Sequence, residues 1–185
     1  MTIRRNPFHA SPFHAGRAAA LALLLVLPAR AHAQSAPDSQ AAQAPAGTGS
    51  APAVSASDPW TRAQLIEPAA LAAALKGPAA ARPMLLHVGF KTLFGEGAIP
   101  GSHYAGPTSK PEGIASLKKA VKGVPHDRAI VLYCGCCPWD HCPNVRPAFK
   151  TMHSLGFKNV KALYIHKNLD TDWVAAGYPI DQPKH

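Results

Sequence analysis

The chain has 185 residues, 47% hydrophobic and 16% charged, a balance that suits one ordinary globular domain. Its formal charge of +9 is partly local: residues 1–33 hold four of the 19 basic residues and no acid, so the remainder carries +5. That excess is modest and unclustered, which excludes a nucleic-acid footprint and leaves only mild steering of a small anion.

Residues 1–33 read as an export signal. Arg4, Arg5 and Arg17 form a positive start, Ala18 to Leu27 an apolar stretch, and Ala31-His32-Ala33 a small-x-small cleavage site, with the cut after Ala33. The apolar stretch is shorter than the ~20 residues a membrane-spanning helix needs, so no stable span is expected after cleavage. The Arg4-Arg5 pair fits the general export route better than a twin-arginine one. The mature protein is therefore expected to be periplasmic or secreted, with its thiols in an oxidising compartment. Residues 34–57 are Ala, Pro, Ser, Gln and Gly with almost no large apolar side chain. Such a stretch buries too little surface to offset its ordering entropy and reads as a disordered tether.

From Asp58 the composition turns globular, and residues 58–185 read as one domain. Pro68 suits a first helical position, and the helix it opens carries Leu71 and Leu75 on one face before Gly77. Met84 to Phe90 is an apolar strand of the parallel-sheet type. Gly95, Gly97, Pro100 and Gly101 mark an irregular segment. Glu112 to Lys122 predicts an amphipathic helix, with Ile114, Leu117 and Val121 inward and Lys118, Lys119 and Lys122 on a solvated face. Further on come a strand at Val160–Ile165 and a short helix at Thr171–Ala176, capped by Asn168 or Asp170 and stopped by Gly177. Strands alternating with helices imply parallel pairing and right-handed crossovers.

The chemistry gathers in residues 129–146. Ala129 to Tyr133 is a short, partly β-branched apolar run, a buried strand. All four cysteines follow, at 134, 136, 137 and 142, ahead of a helix that carries Phe149, Met152 and Leu155 and ends at Gly156. A thiol at the carboxyl end of a strand, facing the start of the next helix, occupies the usual ligand position of an open α/β sheet. Helix N-termini favour anions and lower a thiol's pKa, so Cys134 is the expected thiolate. His87, at the end of a core strand, reads as a hydrogen-bonded interior residue.

Residues 58–185 resemble a rhodanese domain, the single-domain sulfurtransferase family. The resemblance rests on Leu85-Leu86-His87-Val88-Gly89, Gly97-Ala98-Ile99-Pro100-Gly101-Ser102, Ile130 to Cys134, Gly156-Phe157 with Asn159-Val160, and Trp173 with Gly177-Tyr178-Pro179. It implies an α/β domain with a central parallel sheet of about five strands, flanked by helices on both faces. It also implies that Cys134 takes the outer sulfur of thiosulfate or another sulfane donor as a persulfide and hands it to cyanide or a thiol. Several positions depart from the family pattern. Its Asp-Val-Arg reads His87-Val88-Gly89, its histidine before Ile-Pro-Gly is Ala98, and its loop arginine falls on Asp140. The loop is about five residues longer, and Pro138 and Pro143 remove two N–H donors from an anion cradle. Arg146 is the best substitute cation, a bidentate donor that is always charged, with Gly135, Trp139 and His141 as the other substrate-side candidates.

Three readings of the four thiols stay open. In the first, Cys134 carries the persulfide and Cys137 or Cys136 accepts or resolves it. In the second, Cys134 and Cys137, spaced as Cys-x-x-Cys, exchange disulfides with a partner. In the third, Cys134, Cys136, Cys137 and Cys142 hold Zn or Cu without catalysis, although two separated Cys-x-x-Cys knuckles are missing. A Cys137–Cys142 disulfide stapling the loop is compatible with the first. No cofactor is expected. The expected partners are a small sulfur-containing anion or a thiol acceptor, and a monomer suffices.

Overall fold

Four residues of each inner strand set the centre of the domain. Met84–His87 (β2) and Ile130–Tyr133 (β4) run parallel, with Met84 opposite Ile130 and His87 opposite Tyr133. The computed structural model describes residues 54–183. The proposed signal (1–33) and the first twenty residues of the proposed tether lie outside that range. Val160–Leu163 (β5) pairs with the other side of β4, and Leu65–Ile66 (β1) with β5. Ser102–Tyr104 (β3) closes the far edge beside β2, so the order is β1-β5-β4-β2-β3, all parallel.

Alternation along β4 divides the core into two layers, since successive side chains point to opposite faces. Ile130, Leu132 and then Cys134 face Pro111–Ala120 (α3) and Val145–Ser154 (α4), packing with Leu117, Ala148, Phe149 and Met152. Val131 and Tyr133 face Pro68–Leu75 (α1), with Leu71, Leu85, Ile99 and Trp173. Both faces are covered, as expected for a parallel sheet whose strands are apolar throughout. Among the described residues no helix is long and apolar enough to cross a membrane.

The punctuation residues act where the sequence places them. Pro68 opens α1, and Gly156 ends the α4 segment at φ +86°, a conformation glycine adopts without a Cβ penalty. Asn168 caps the last turn through the Thr171 N–H at 2.8 Å. That turn is not the expected α-helix: Asp170–Val174 is a five-residue π-helical turn, and the Asp172 carboxylate accepts the N–H groups of Lys167 and Asn168. The segment read as irregular holds two short elements, Lys91–Glu96 (α2) and the edge strand β3. At six and three residues, neither is long enough to show a period.

Two buried polar side chains fasten the strand ends. The Tyr133 hydroxyl donates to Ser102 Oγ at 2.9 Å and accepts the Ile99 N–H at 3.1 Å, tying β4 to the Ile99-Pro100-Gly101 turn. His87 is interior, as expected, ringed by Phe94, Tyr104 and Tyr133. The ring donates to the Cys134 backbone, while its Nδ1 has no hydrogen-bond partner among the described residues. Burial lowers the imidazole pKa from 6.5 to about 4, so the ring is neutral near pH 7. As pH falls from 6.5 towards 4, the unfolded chain takes up this proton first, and the fold loses up to about 3 kcal/mol. Denaturant midpoints between pH 7 and 4 check this: the loss shrinks in His87→Leu, and an identical slope in both proteins would refute it.

Candidate thiol site

β4 delivers Cys134 on the α3/α4 face, and Gly135, at φ +74°, turns the chain sharply away from the sheet. An alanine there would meet the left-handed backbone penalty and stand 2.9 Å from Leu169 Cβ. The loop then passes Cys136 and Cys137, a short 3-10 turn at Trp139–His141, and Cys142, which returns to the interior before Pro143, Asn144 and α4. The turn and the return bring four thiols together that the linear sequence spreads over nine residues.

Their sulfurs form a string. Cys137 Sγ lies 3.0 Å from Cys136 Sγ, which lies 3.1 Å from Cys134 Sγ, and the sulfurs of Cys134, Cys136 and Cys142 all fall within 4.8 Å of one another. Cys136 and Cys137 are half-buried, while Cys134 and Cys142 are 3% and 6% exposed. All four are free thiols in this structure, and the possible Cys137–Cys142 staple is not made here. The loop is held instead by packing: Trp139 is buried against Trp60 and Tyr164, each at 5.1 Å between ring centroids.

The start of α4 faces Cys142 rather than Cys134. Hydrogen bonds from the Cys134 and Cys136 thiols and from the backbone N–H groups of Val145 and Asn144 favour the Cys142 thiolate and overcome its burial, lowering its pKa. At Cys134, a hydrogen bond from Cys136 favours the thiolate, but donation to Cys142, burial and the Cys142 charge outweigh it, and the pKa rises. The expected pairing of Cys134 with the helix start is therefore not the one seen: the backbone N–H groups of Asn144 and Val145 face Cys142. Cys134 ends the strand, but its sulfur is turned inward, and the loop carries Cys142 to the amide end of the helix.

Asn144, which sequence reading did not single out, and Gly89 hold Cys134 there. Asn144 is fully buried, and its Nδ2 donates to Cys134 Sγ at 3.4 Å while its Oδ1 accepts the Ser109 N–H at 2.9 Å. The Thr108 hydroxyl donates to the Asn144 carbonyl at 2.6 Å. Gly89 supplies the space: a Cβ there would stand 2.8 Å from Cys134 Sγ and 3.0 Å from His87 Cε1. A signal existed for Gly89, since it takes the place of an arginine in the related pattern. Asn144 offered only its position after Pro143 at a helix start. Gly89→Ala is expected to cost about 1–3 kcal/mol by overpacking and to push the Cys134 sulfur out of reach of Asn144. Thermal unfolding and the rate of Cys134 alkylation read both effects, and a wild-type rate would contradict the contact.

The remaining predicted site residues divide. Gly135, Trp139 and Cys137 line a cavity of about 10 Å³ together with Cys134 and Cys142. His141 and Asp140 are exposed and do not line it. Arg146, the expected anion-binding cation, is committed elsewhere. Its Nε donates to the buried carboxylate of Asp58 at 2.8 Å, its Nη1 to the Trp139 carbonyl at 3.4 Å, and its guanidinium lies over Trp60 at 5.3 Å. Arg146 therefore anchors the entering chain to the loop, because Asp58 and Trp60 reach it first. A cavity this small admits one atom or one water, so thiosulfate does not fit inside it.

Five parallel strands in this order, with helices on both faces and a cysteine ending the central strand, give the domain a rhodanese-like fold. The domain is similar to the crystal structure of the Alr3790 protein from Anabaena sp. at a TM-score of 0.50 and 22% identity, over 64% of this chain and 82% of that one. The solution structure of the rhodanese-like domain of Alr3790 is similar at 0.48 and 19%, over 65% and 80%. A rhodanese-related protein from Thermoplasma volcanium is similar at 0.45 and 19%, over 65% and 99%. No protein-family model matches the sequence, and neither does any curated protein. The likeness is one of fold, and the thiol cluster is described by this chain's own residues.

Proposed function

We propose that this is an exported sulfur-transfer domain that takes single sulfane sulfur atoms onto its thiol cluster. The observation that carries the reading is the unbroken string of free thiols from half-buried Cys137 and Cys136 to Cys142 at the amide end of α4. The body of the donor stays outside, and its outer sulfur enters the cavity. The Cys142 thiolate attacks that sulfur, and the bond to the donor breaks with its electron pair leaving on the donor, as sulfite where the donor is thiosulfate. The Cys136 thiol then attacks the outer sulfur. The bond to Cys142 breaks, its electrons return to Cys142, and the Cys136 proton ends on the transferred sulfur. No net oxidation occurs, and the sulfur now sits on a half-exposed residue where an acceptor thiol or cyanide collects it.

Mass spectrometry of the reduced protein, before and after exposure to thiosulfate or polysulfide, tests this. A gain of about 32 Da on Cys142 or Cys136 is expected, since a persulfide adds one sulfur to a thiol. Loss of two hydrogens without any sulfur gain would mark a disulfide-exchange protein instead. Export rests on the composition of residues 1–33, and a mature N-terminus at Gln34 in a periplasmic extract is the expected result.

A further inference from the structure

We infer that Cys134, Cys136 and Cys142 form a three-coordinate, all-sulfur site for copper(I). The site uses the same sulfurs as the proposed transfer but does not depend on that reading. Three sulfurs within 4.8 Å of one another lie close to what one ion requires. A metal–sulfur bond of about 2.3 Å in a trigonal plane spaces its sulfurs by roughly 4 Å. The pair Cys134–Cys136, now at 3.1 Å, would open by roughly 1 Å, a side-chain adjustment on a loop.

The surroundings select the ion. A cavity of about one atom lies beside Cys134 and Cys142; Cys137 lines it and Cys136 does not, and its remaining lining, Gly135, Trp139, Val145, Leu163 and Ile165, brings no carboxylate or imidazole. A sulfur-only ligand set suits soft ions: copper(I), zinc or an iron–sulfur cluster. A cluster needs more room than one atom. Structural zinc closes its shell with four ligands, and the fourth thiol, Cys137, lies outside the three-sulfur group. A three-coordinate monovalent copper ion matches the count of sulfurs in the group.

An outer shell is already in place. Asn144 Nδ2 donates to Cys134 Sγ, and Asn144 is itself held by Ser109 and Thr108. Donors of this kind orient metal-bound groups and offset their charge. Half-buried Cys136 provides the entry. Binding exchanges thiol protons for the ion, with no change of oxidation state.

The test uses the fully reduced, purified protein, loaded with copper(I) or with zinc(II) under anaerobic conditions and then desalted. One copper per chain is expected by elemental analysis, with Cys134, Cys136 and Cys142 protected from iodoacetamide and Cys137 still alkylated. The protection pattern needs no variant, so it stands even where a cysteine substitution fails to fold. Folded Cys136→Ser is expected to lose affinity by more than the roughly 10–100-fold that removal of an outer-shell partner brings, and Cys137→Ser to keep it. Absence of retained copper in the folded wild type, or protection of all four thiols with zinc preferred, overturns the assignment. A sulfur adduct without copper binding would refute this inference alone, and copper binding without a sulfur adduct would refute the transfer reading alone.

Discussion

Cys142→Ser is expected to lower sulfur uptake from a sulfane donor by at least about a thousand-fold, the scale seen when a nucleophile is removed. The substitution leaves the backbone arrangement intact. Serine is a preferred partner for the first N–H groups of a helix, and its oxygen can still accept from Asn144 and Val145, whose amides face this side chain. The protein should therefore remain folded, with a melting temperature close to that of the wild type. What disappears is the proposed nucleophile at the amide end of α4, because an alcohol at the same place stays protonated. Cys134→Ser should keep most of the uptake, since a hydroxyl still donates a hydrogen bond towards residue 142. The measurement is the rate at which the sulfur adduct appears, followed by mass spectrometry in both variants. The reverse order, with Cys134→Ser inert and Cys142→Ser active, would return the thiolate to the strand end.

Asn144→Ala should be the most damaging single change near the site, costing about 2–4 kcal/mol. The side chain is fully buried, and its removal leaves the Ser109 N–H without an acceptor and Cys134 without its donor. An unsatisfied buried polar group costs about 1–3 kcal/mol, and the cavity adds to that. The loss extends further than one contact. Thr108 and Ser109 precede α3 and Asn144 precedes α4, so this residue joins the entrances of the two helices that cover one face of the sheet. Denaturant unfolding gives the stability, and iodoacetamide labelling gives the exposure of Cys134, which should rise from near zero. Wild-type stability in Asn144→Ala would show that the bonds to Ser109 and Cys134 contribute nothing net.

The two predictions separate chemistry from scaffold, and sequence reading served them unequally. The inner strands were legible because Leu85-Leu86 and Ile130 to Leu132 are continuous apolar runs of strand length, bounded by turn residues. Helices α1, α3 and α4 were legible from their apolar spacing and from Pro68 and Gly156. The edge strand β3 and helix α2 were not, since three to six residues carry no readable period and their stability comes from pairing and burial. Arg146 shows the same limit from the other side. Its charge and place near a helix start suit an anion, yet Asp58, 88 residues earlier, claims it. No local pattern announces a partner at that distance.

Taken alone, the amino-acid sequence determined the architecture: the alternation of apolar runs and helical spacings leads to a parallel sheet with both faces covered, and the four cysteines mark where its chemistry lies. It also determined that a thiol would end the central strand, because the apolar run stops at Tyr133. Only the tertiary structure decided which thiol meets the amide end of the helix. The ionisation of a sulfur depends on which amides and neighbouring thiols lie within a few ångströms. The turn at Gly135, the gap left by Gly89 and the return of the loop through Cys142 set those distances, and none of them is a property of spacing along the chain.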